Sequence, residues 1–229
     1  MTEPLPVEEK WPISDRSKLQ LFSLNTPNGI KVAFALEELG LPYEAHTVRI
    51  GKGEQFTEAF KWVSPNSKIP AIWDPNGPGG EPIRLMESSA ILIYLAEKTG
   101  ELIPKDPARR YECLQWLFFQ HGGVGPMFGQ FGHFFKYARD KCEHPYPLER
   151  YTTEAKRILR VLDTQLTGRD YLAEEFSIAD IATVGWVRAL EVSYGAAKVI
   201  PIADYPQVKA WLERCTSRPS FQIAKDVTA

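Results

Sequence analysis

Leu19-Gln-Leu-Phe-Ser-Leu24, then Asn25-Thr-Pro-Asn-Gly29, then Ile30, Ala33, Phe34, Leu36 and Leu39: this stretch decides the fold of the first half. Lys18 to Leu24 reads as a short apolar strand. The Asn-Thr-Pro-Asn-Gly segment is a turn. The apolar residues after it recur at helical spacing, and Gly40 stands where a helix stop belongs. Tyr43 to Ile50 reads as a second strand, and strand–helix–strand at this length predicts a parallel crossover.

Working outward, the glycine-flanked Gly51-Lys-Gly-Glu-Gln-Phe56 leads to a short helix toward Trp62. Ser64-Pro-Asn-Ser-Lys-Ile-Pro-Ala-Ile-Trp73 places Pro70 at the head of a strand, where a missing N–H is tolerated. Asp74-Pro-Asn-Gly-Pro-Gly-Gly80 is a hairpin-type connection, and Pro82 to Met86 is the returning strand. Glu87-Ser-Ser-Ala90 opens a helix carrying Ile91, Leu92, Tyr94 and Leu95, which ends near Gly100. The expected fold is α/β plus all-α. Residues 1–17 form an extension, 18–100 a βαβαββα domain, 101–107 a linker and 108–229 an all-helical domain.

In the helical half, Asp106-Pro107 is a capped start. The aromatic helix that follows, through Trp116, Phe118 and Phe119, is expected to kink or break at Gly122-Gly-Val-Gly-Pro126 and to resume through Met127, Phe131, Phe134 and Phe135. Tyr151 to Leu166 is a second helix, closed by Gly168. Ser177-Ile-Ala-Asp180 is a capping box that opens a third, and Val208, Trp211, Leu212 and Cys215 mark a fourth.

The chain of 229 residues is 44% hydrophobic and 24% charged, with a formal net charge of -2. That balance argues against nucleic acid or anionic membrane as the main partner. Met1 to Lys10 lacks the cationic start and apolar run of a signal peptide, and no stretch reaches membrane-spanning length; the expectation is a cytoplasmic protein. Cys113, Cys142 and Cys215 form no redox pair, disulfide framework or zinc spacing, and the four histidines are scattered, so no metal is expected. Cys113 and Cys215 fall on apolar helical stripes and read as core.

Ligands of such sheets bind beyond the strand C-termini, beside helix N-termini. Three segments converge there: Thr26-Pro27-Asn28, Lys68-Ile69-Pro70 and Glu87-Ser88. They offer a hydroxyl and an amide, backbone groups beside a rigid proline, and a carboxylate with a hydroxyl. Together they suit a zwitterionic peptide with a central thiol. Taken singly, each also reads as ordinary capping or turn chemistry, and Ser23 is a rival hydroxyl that strand alternation marks as structural.

The chain resembles the cytosolic glutathione transferases from about Lys18 to its end. The resemblance rests on Lys68-Ile-Pro-Ala-Ile72, Glu87-Ser88-x-Ala90-Ile91 and the Ser177–Asp180 box. Within them it looks like the Nu class, related to the yeast nitrogen-regulatory prion protein, through Thr26-Pro-Asn-Gly29, Gly51-Lys-Gly-x-Gln-Phe56, Ser64-Pro-Asn-x-Lys-Ile-Pro70 and Gly122-Gly-x-Gly-Pro-Met127 with Gly129-Gln130 and His133-Phe134. The resemblance implies a thioredoxin-like domain, an all-helical glutathione-transferase domain, a homodimer and a cis peptide before Pro70. It implies glutathione as the bound thiol, two molecules or the disulfide per site, with glutathione-dependent disulfide reduction as the activity and conjugation or peroxidase activity secondary. Carried over, Thr26 and Asn28 face the sulfur. Asn28, Gln55, Lys68, Ile69, Pro70, Glu87, Ser88 and Arg150 hold the peptide. Phe128, Gln130, Phe131, His133 and Phe134 lie toward the second substrate, a small disulfide or electrophile. A glutathione-dependent lyase or isomerase, and a non-catalytic regulator, are the alternatives; the long Asn/Gln-rich tail of the prion relative is absent from this sequence.

Overall fold

β1 (Leu19–Ser23) is buried along its whole length, which requires cover on both faces and partners on both edges. The computed structural model, which describes residues 3–228, supplies them. β2 (Tyr43–Thr47) pairs parallel to β1, with Leu19 opposite Tyr43 and Ser23 opposite Thr47. β3 (Ala71–Asp74) runs antiparallel on the other edge, with Phe22 opposite Ala71, and β4 (Ile83–Met86) runs antiparallel to β3, with Ala71 opposite Met86. The sheet order is β2-β1-β3-β4. β1, β2 and β4 therefore point the same way, and β3 starts where they end.

That geometry decides where the helices begin. α1 (Pro27–Glu38) leaves the end of β1, and α3 (Ser88–Thr99) leaves the end of β4, so both N-termini lie at one end of the sheet. Pro27 takes the first helical position and Thr26 the cap. Gly29 lets the first turn press on the strand: a Cβ there would stand 1.9 Å from the Leu24 carbonyl oxygen. The peptide bond before Pro70 is cis, as the resemblance implies.

β2 is shorter than the expected Tyr43–Ile50. After Thr47 the chain turns through two short 3-10 helices, Ile50–Lys52 and Glu54–Phe56, joined at Gly53 with φ of +74°. α2 (Glu58–Lys61) follows.

The N-terminal segment, whose role the sequence left open, is part of the core. Val7 and Trp11 are buried with Phe22, Val48, Phe60 and Trp73. The Trp11 ring meets Phe22 and Phe60 edge-on, each at 5.9 Å, and its Nε1 donates to the Thr47 carbonyl at 3.0 Å. Glu44 on β2 accepts from the backbone N–H of Ser14 and Asp15, and Arg16 pairs with Glu8.

The second unit, Gly100–Arg218, is helical. α4 (Pro107–Phe119) is capped by Asp106, whose carboxylate accepts from the Arg109 N–H at 3.0 Å. The glycine-rich run does not break the helix. It widens into a π-helical turn at Gln120–Val124, continues as α5 (Gly125–Gly132) and widens again at His133–Tyr137. Gly132 is there for close approach: a Cβ would fall 2.3 Å from the Tyr194 ring. α6 (Tyr146–Gln165), α7 (Ile178–Glu191) and α8 (Pro206–Thr216) complete the unit. At the head of α7, buried Asp180 accepts from the backbone N–H of Leu172 and Ser177 and from Trp211 Nε1 at 2.8 Å.

The boundaries differ from expectation at the C-terminus. The chain from Pro219 onward, including α9 (Pro219–Ala224), packs with the first unit. Phe221 meets Phe34 of α1 edge-on at 5.3 Å, and the Asn25 N–H donates to the Thr228 carbonyl at 3.1 Å. Among the described residues no helix is long and apolar enough to cross a membrane, and no group of three or more His, Cys, Asp or Glu could hold a metal ion.

Candidate functional site

The sheet direction gathers the sequence candidates of the first unit. Thr26 and Asn28 follow β1. Gln55 lies in the turns after β2. Lys68, Ile69 and Pro70 precede β3. Glu87 and Ser88 follow β4. By strand direction, all belong to the same end of the sheet.

Thr26 has nearly all its polar groups committed. Its N–H donates to the Leu24 carbonyl at 2.7 Å, its carbonyl accepts from the Ile30 N–H at 3.0 Å, and its Oγ1 accepts from the Gly29 N–H at 3.1 Å. The hydroxyl hydrogen is the donor left to offer a ligand. The Thr26 N–H, spent on Leu24, is not available to a ligand. Asn28 sits in the first turn of α1, half-buried. Ser23, the rival hydroxyl, is fully buried, with Oγ facing no hydrogen-bond partner and 2.6 Å from where a Gly29 Cβ would be. It is a packing residue.

Ser64 Oγ donates to the Lys68 carbonyl at 2.7 Å and so fixes the approach to Pro70. The half-buried Ile69 precedes the β3 ladder, and no hydrogen bond engages its backbone among the described residues. Its N–H and carbonyl can pair with an extended peptide. Lys68 is exposed and Pro70 buried. Gln55 is half-buried with Oε1 unpartnered. Its neighbour Glu54 is fixed: its carboxylate accepts from the Arg49 N–H at 2.7 Å and lies 3.7 Å from Lys10 Nζ, so the N-terminal segment braces this turn.

Glu87 has φ of +70°, a left-handed conformation that costs a residue with a Cβ about 1–2 kcal/mol. The turn leaves Glu87 exposed and brings Ser88 to the buried head of α3. There the structure adds a residue that the sequence reading passed over. Lys31, on α1, is 1% exposed, and its Nζ donates to Ser88 Oγ at 3.1 Å. Burial pushes its ammonium down to about 7, against the nearby Glu87 charge, which favours the cation. The available signal was its place as a lone cation in the buried run Gly29–Leu36.

In the second unit, Phe128 and Phe131 are fully buried. Phe131 stacks on Phe135 at 5.1 Å. A side chain with no exposure presents nothing to a second substrate, so these two are core. Gln130 and His133 are exposed, and half-buried Phe134 stacks on Tyr151 at 5.7 Å, beside exposed Arg150 on α6.

No cysteine stands among these groups. Cys113 and Cys215 are buried in the second unit, and burial pushes the Cys113 thiol up. Cys142 lies 3.7 Å from the His144 carbonyl oxygen in the connection before α6.

Residues 26–98 match the glutathione S-transferase N-terminal domain family, and residues 124–219 the glutathione S-transferase C-terminal domain family. The disulfide-bond oxidoreductase YghU of Escherichia coli is 43% identical over 231 residues, covering 97% of this chain and 79% of YghU. A glutathione transferase from Pseudomonas putida, solved with one glutathione disulfide per subunit, superposes with a TM-score of 0.96 at 49% identity, over 98% of each chain. One from Burkholderia graminis, solved with two glutathione molecules per subunit, gives 0.95 at 51% identity, over 97% of this chain and 93% of that one.

Proposed function

The chain belongs to the glutathione S-transferase family, and we propose that it activates glutathione as a thiolate at the sheet end of its first unit and uses it to reduce disulfides, as a Nu-class enzyme. The observation that carries this is the state of Thr26, a hydroxyl with its oxygen committed and its hydrogen unspent, at a helix N-terminus that holds no cysteine.

Each site group has a part. The Ile69 backbone pairs with the cysteinyl peptide group. Glu87 takes the γ-glutamyl ammonium and Ser88 its carboxylate. Asn28 and Gln55 hold the tripeptide, with Lys68 as a cation for its carboxylates. Thr26 and Asn28 meet the sulfur. A thiol near its ordinary pKa of ~8.5 is only a few per cent ionised at pH 7. Lowering it by about two units requires ~2.7 kcal/mol. A hydrogen bond to the anion contributes ~1.5–3 kcal/mol and the α1 N-terminus ~0.3–1 kcal/mol, so no general base is needed.

The thiolate attacks one sulfur of the substrate disulfide, forming a mixed disulfide with glutathione and expelling the other sulfur as thiolate. A second glutathione thiolate attacks the glutathione sulfur of that mixed disulfide. The products are glutathione disulfide and the second substrate thiol. The two electrons come from two glutathione molecules, in keeping with what the P. putida and B. graminis relatives hold. Of the second-substrate candidates on the second unit, Gln130, His133 and Phe134 keep accessible surface.

The protein works in the cytoplasm as a homodimer. Phe56 in the first unit is 62% exposed, and Tyr111 and Phe118 in the second are 73% and 58% exposed, aromatic surface on each unit that a second copy would cover. The test assays glutathione with a small disulfide, a chlorinated aromatic and a peroxide, on wild type, Thr26→Ala and Asn28→Ala. The disulfide should be the best substrate, and both variants should lose at least tenfold. Undiminished rates in both would remove the catalytic assignment. Turnover of none of the three by wild type would favour the lyase or the regulator.

A further inference from the structure

Lys31 is a buried cation, 1% exposed, that the mechanism above does not use. It lies one turn into α1, in a run of eight consecutive buried residues, and its Nζ reaches the head of α3. Transfer of an ammonium out of water is costly, and the cost is offset where an anion or strong acceptor meets it. Ser88 Oγ, at 3.1 Å, is an acceptor. A serine hydroxyl whose oxygen accepts from an ammonium turns its own hydrogen away from that cation. The hydrogen is then presented at the α3 N-terminus, where the backbone dipole also favours an anion.

We propose that Lys31 is a positioning residue for the γ-glutamyl α-carboxylate of glutathione, holding Ser88 as a donor to that carboxylate and supplying a positive charge behind it. The inference deepens the glutathione reading and rests on it. It separates the two ends of the γ-glutamyl group: exposed Glu87 for the ammonium, and the Lys31–Ser88 pair for the carboxylate. The charge acting on Lys31 from the elements packed on α1 is that of Glu87. β1 contains no charged residue. α9 meets α1 through Phe221 on Phe34 and Ser220 on Glu38.

The test uses two ligands, glutathione and the analogue in which γ-aminobutyrate replaces the γ-glutamyl residue, so that only the α-carboxylate is missing. The readout is the ratio of their dissociation constants in wild type, Lys31→Met and Ser88→Ala. In wild type, glutathione should bind roughly 10- to 100-fold more tightly, the range for one hydrogen bond to a charged group. In Lys31→Met the ratio should fall to within about threefold of unity. A merely structural lysine would weaken both ligands equally and leave the ratio intact, which would overturn the proposal.

Should Lys31→Met not fold, the wild-type ratio measured from pH 6 to 9 decides. The ratio should fall as Lys31 loses its proton, and a flat ratio overturns the proposal; thiol ionisation is common to both ligands and cancels. Wild type that binds neither ligand would instead refute the glutathione reading.

Discussion

Replacing Thr26 by valine keeps the shape of the side chain and removes its oxygen. Two losses follow. The Gly29 N–H, which donates to Oγ1 at 3.1 Å, loses its partner, at about 0.5–2 kcal/mol of stability for a lost cap. The bound thiolate loses the Thr26 hydrogen bond, ~1.5–3 kcal/mol, or about 1–2 pKa units. With the bound thiol near ~6.5 in wild type, two units below its ordinary value, the variant should titrate at about 7.5–8.5. The thiolate fraction at pH 7 then falls roughly 3- to 25-fold. The rate falls less, because a more basic thiolate is a better nucleophile, with a Brønsted slope of about 0.4–0.5. The decisive assay is therefore the pKa of the bound thiol, followed by thiolate absorbance in a pH titration of the complex. Thr26→Ser keeps the oxygen and should titrate like wild type. A Thr26→Val complex whose thiol pKa lies within about 0.3 units of wild type would refute the assignment, and the donor would then have to be Asn28 or the helix end.

Gly29→Ala places a Cβ 1.9 Å from the Leu24 carbonyl oxygen and should cost more than tenfold in glutathione-dependent activity; an alanine variant as active as wild type would show that the first turn can open without loss. Trp11→Ala removes the ring between Phe22 and Phe60 and should lower the unfolding free energy by about 3–5 kcal/mol in urea, whereas a change below ~1 kcal/mol would mean that the N-terminal segment is peripheral. Asp180→Ala leaves Trp211 Nε1 and the Leu172 and Ser177 N–H groups without their acceptor and should destabilise the helical unit by ~3–5 kcal/mol by calorimetry; a shift in Tm of less than a degree would contradict this. Lys31 binds fewer protons folded, at about 7, than unfolded, at 10.5, so its contribution to stability rises with pH across that window. Wild type should therefore gain stability over Lys31→Gln's own pH profile between pH 7 and 10, and parallel profiles would contradict that.

What the sequence could show was set by local chemistry. Leu19 to Ser23, the Pro27 start of α1, the Ser177–Asp180 box and the order βαβαββα each follow from neighbours in the chain, and they stand in the structure. The clustering of Thr26, Ile69, Pro70, Glu87 and Ser88 followed from strand direction, itself inferred from connection length. What was not legible depended on distant contacts. Residues 3–17 look irregular, yet Trp11 is held by Phe22, by Phe60 and by the Thr47 carbonyl, 36 positions away. Gly122 to Pro126 has the composition of a helix breaker, but the helix continues through a π turn, and of its glycines Gly125 serves close approach: a Cβ there would fall 2.9 Å from Gln120 Nε2. Phe128 and Phe131 could not be told from substrate-facing aromatics by spacing, because the same helical period serves a core and a cleft. Lys31 drew no reading from the sequence, because a lysine is ordinarily exposed.

These features share one electrostatic logic. β1 and β4 end on the same side, so the positive ends of α1 and α3 belong to one end of the sheet, and Lys31 adds a buried cation that Ser88 relays to the surface. Glutathione brings two carboxylates, one ammonium and a thiol that must ionise. An end of the sheet biased to positive potential favours both the carboxylates and the thiolate, and Glu87, in its left-handed turn, is the anion left for the ammonium. A cysteine at Thr26 would be stabilised as a thiolate by the same field, and then the protein itself would carry the electrons. With threonine there, the field acts on a thiol that arrives with its own carboxylates. Binding and activation then share one field but rest on different groups: weakening the carboxylate pocket through Lys31 should reduce glutathione affinity while leaving the thiol pKa of the saturated complex nearly unchanged, since the proposed thiol donors, Thr26 and the α1 N-terminus, are untouched. A Lys31→Met complex whose thiol pKa rose as far as that of Thr26→Val would show instead that the two functions are not separable.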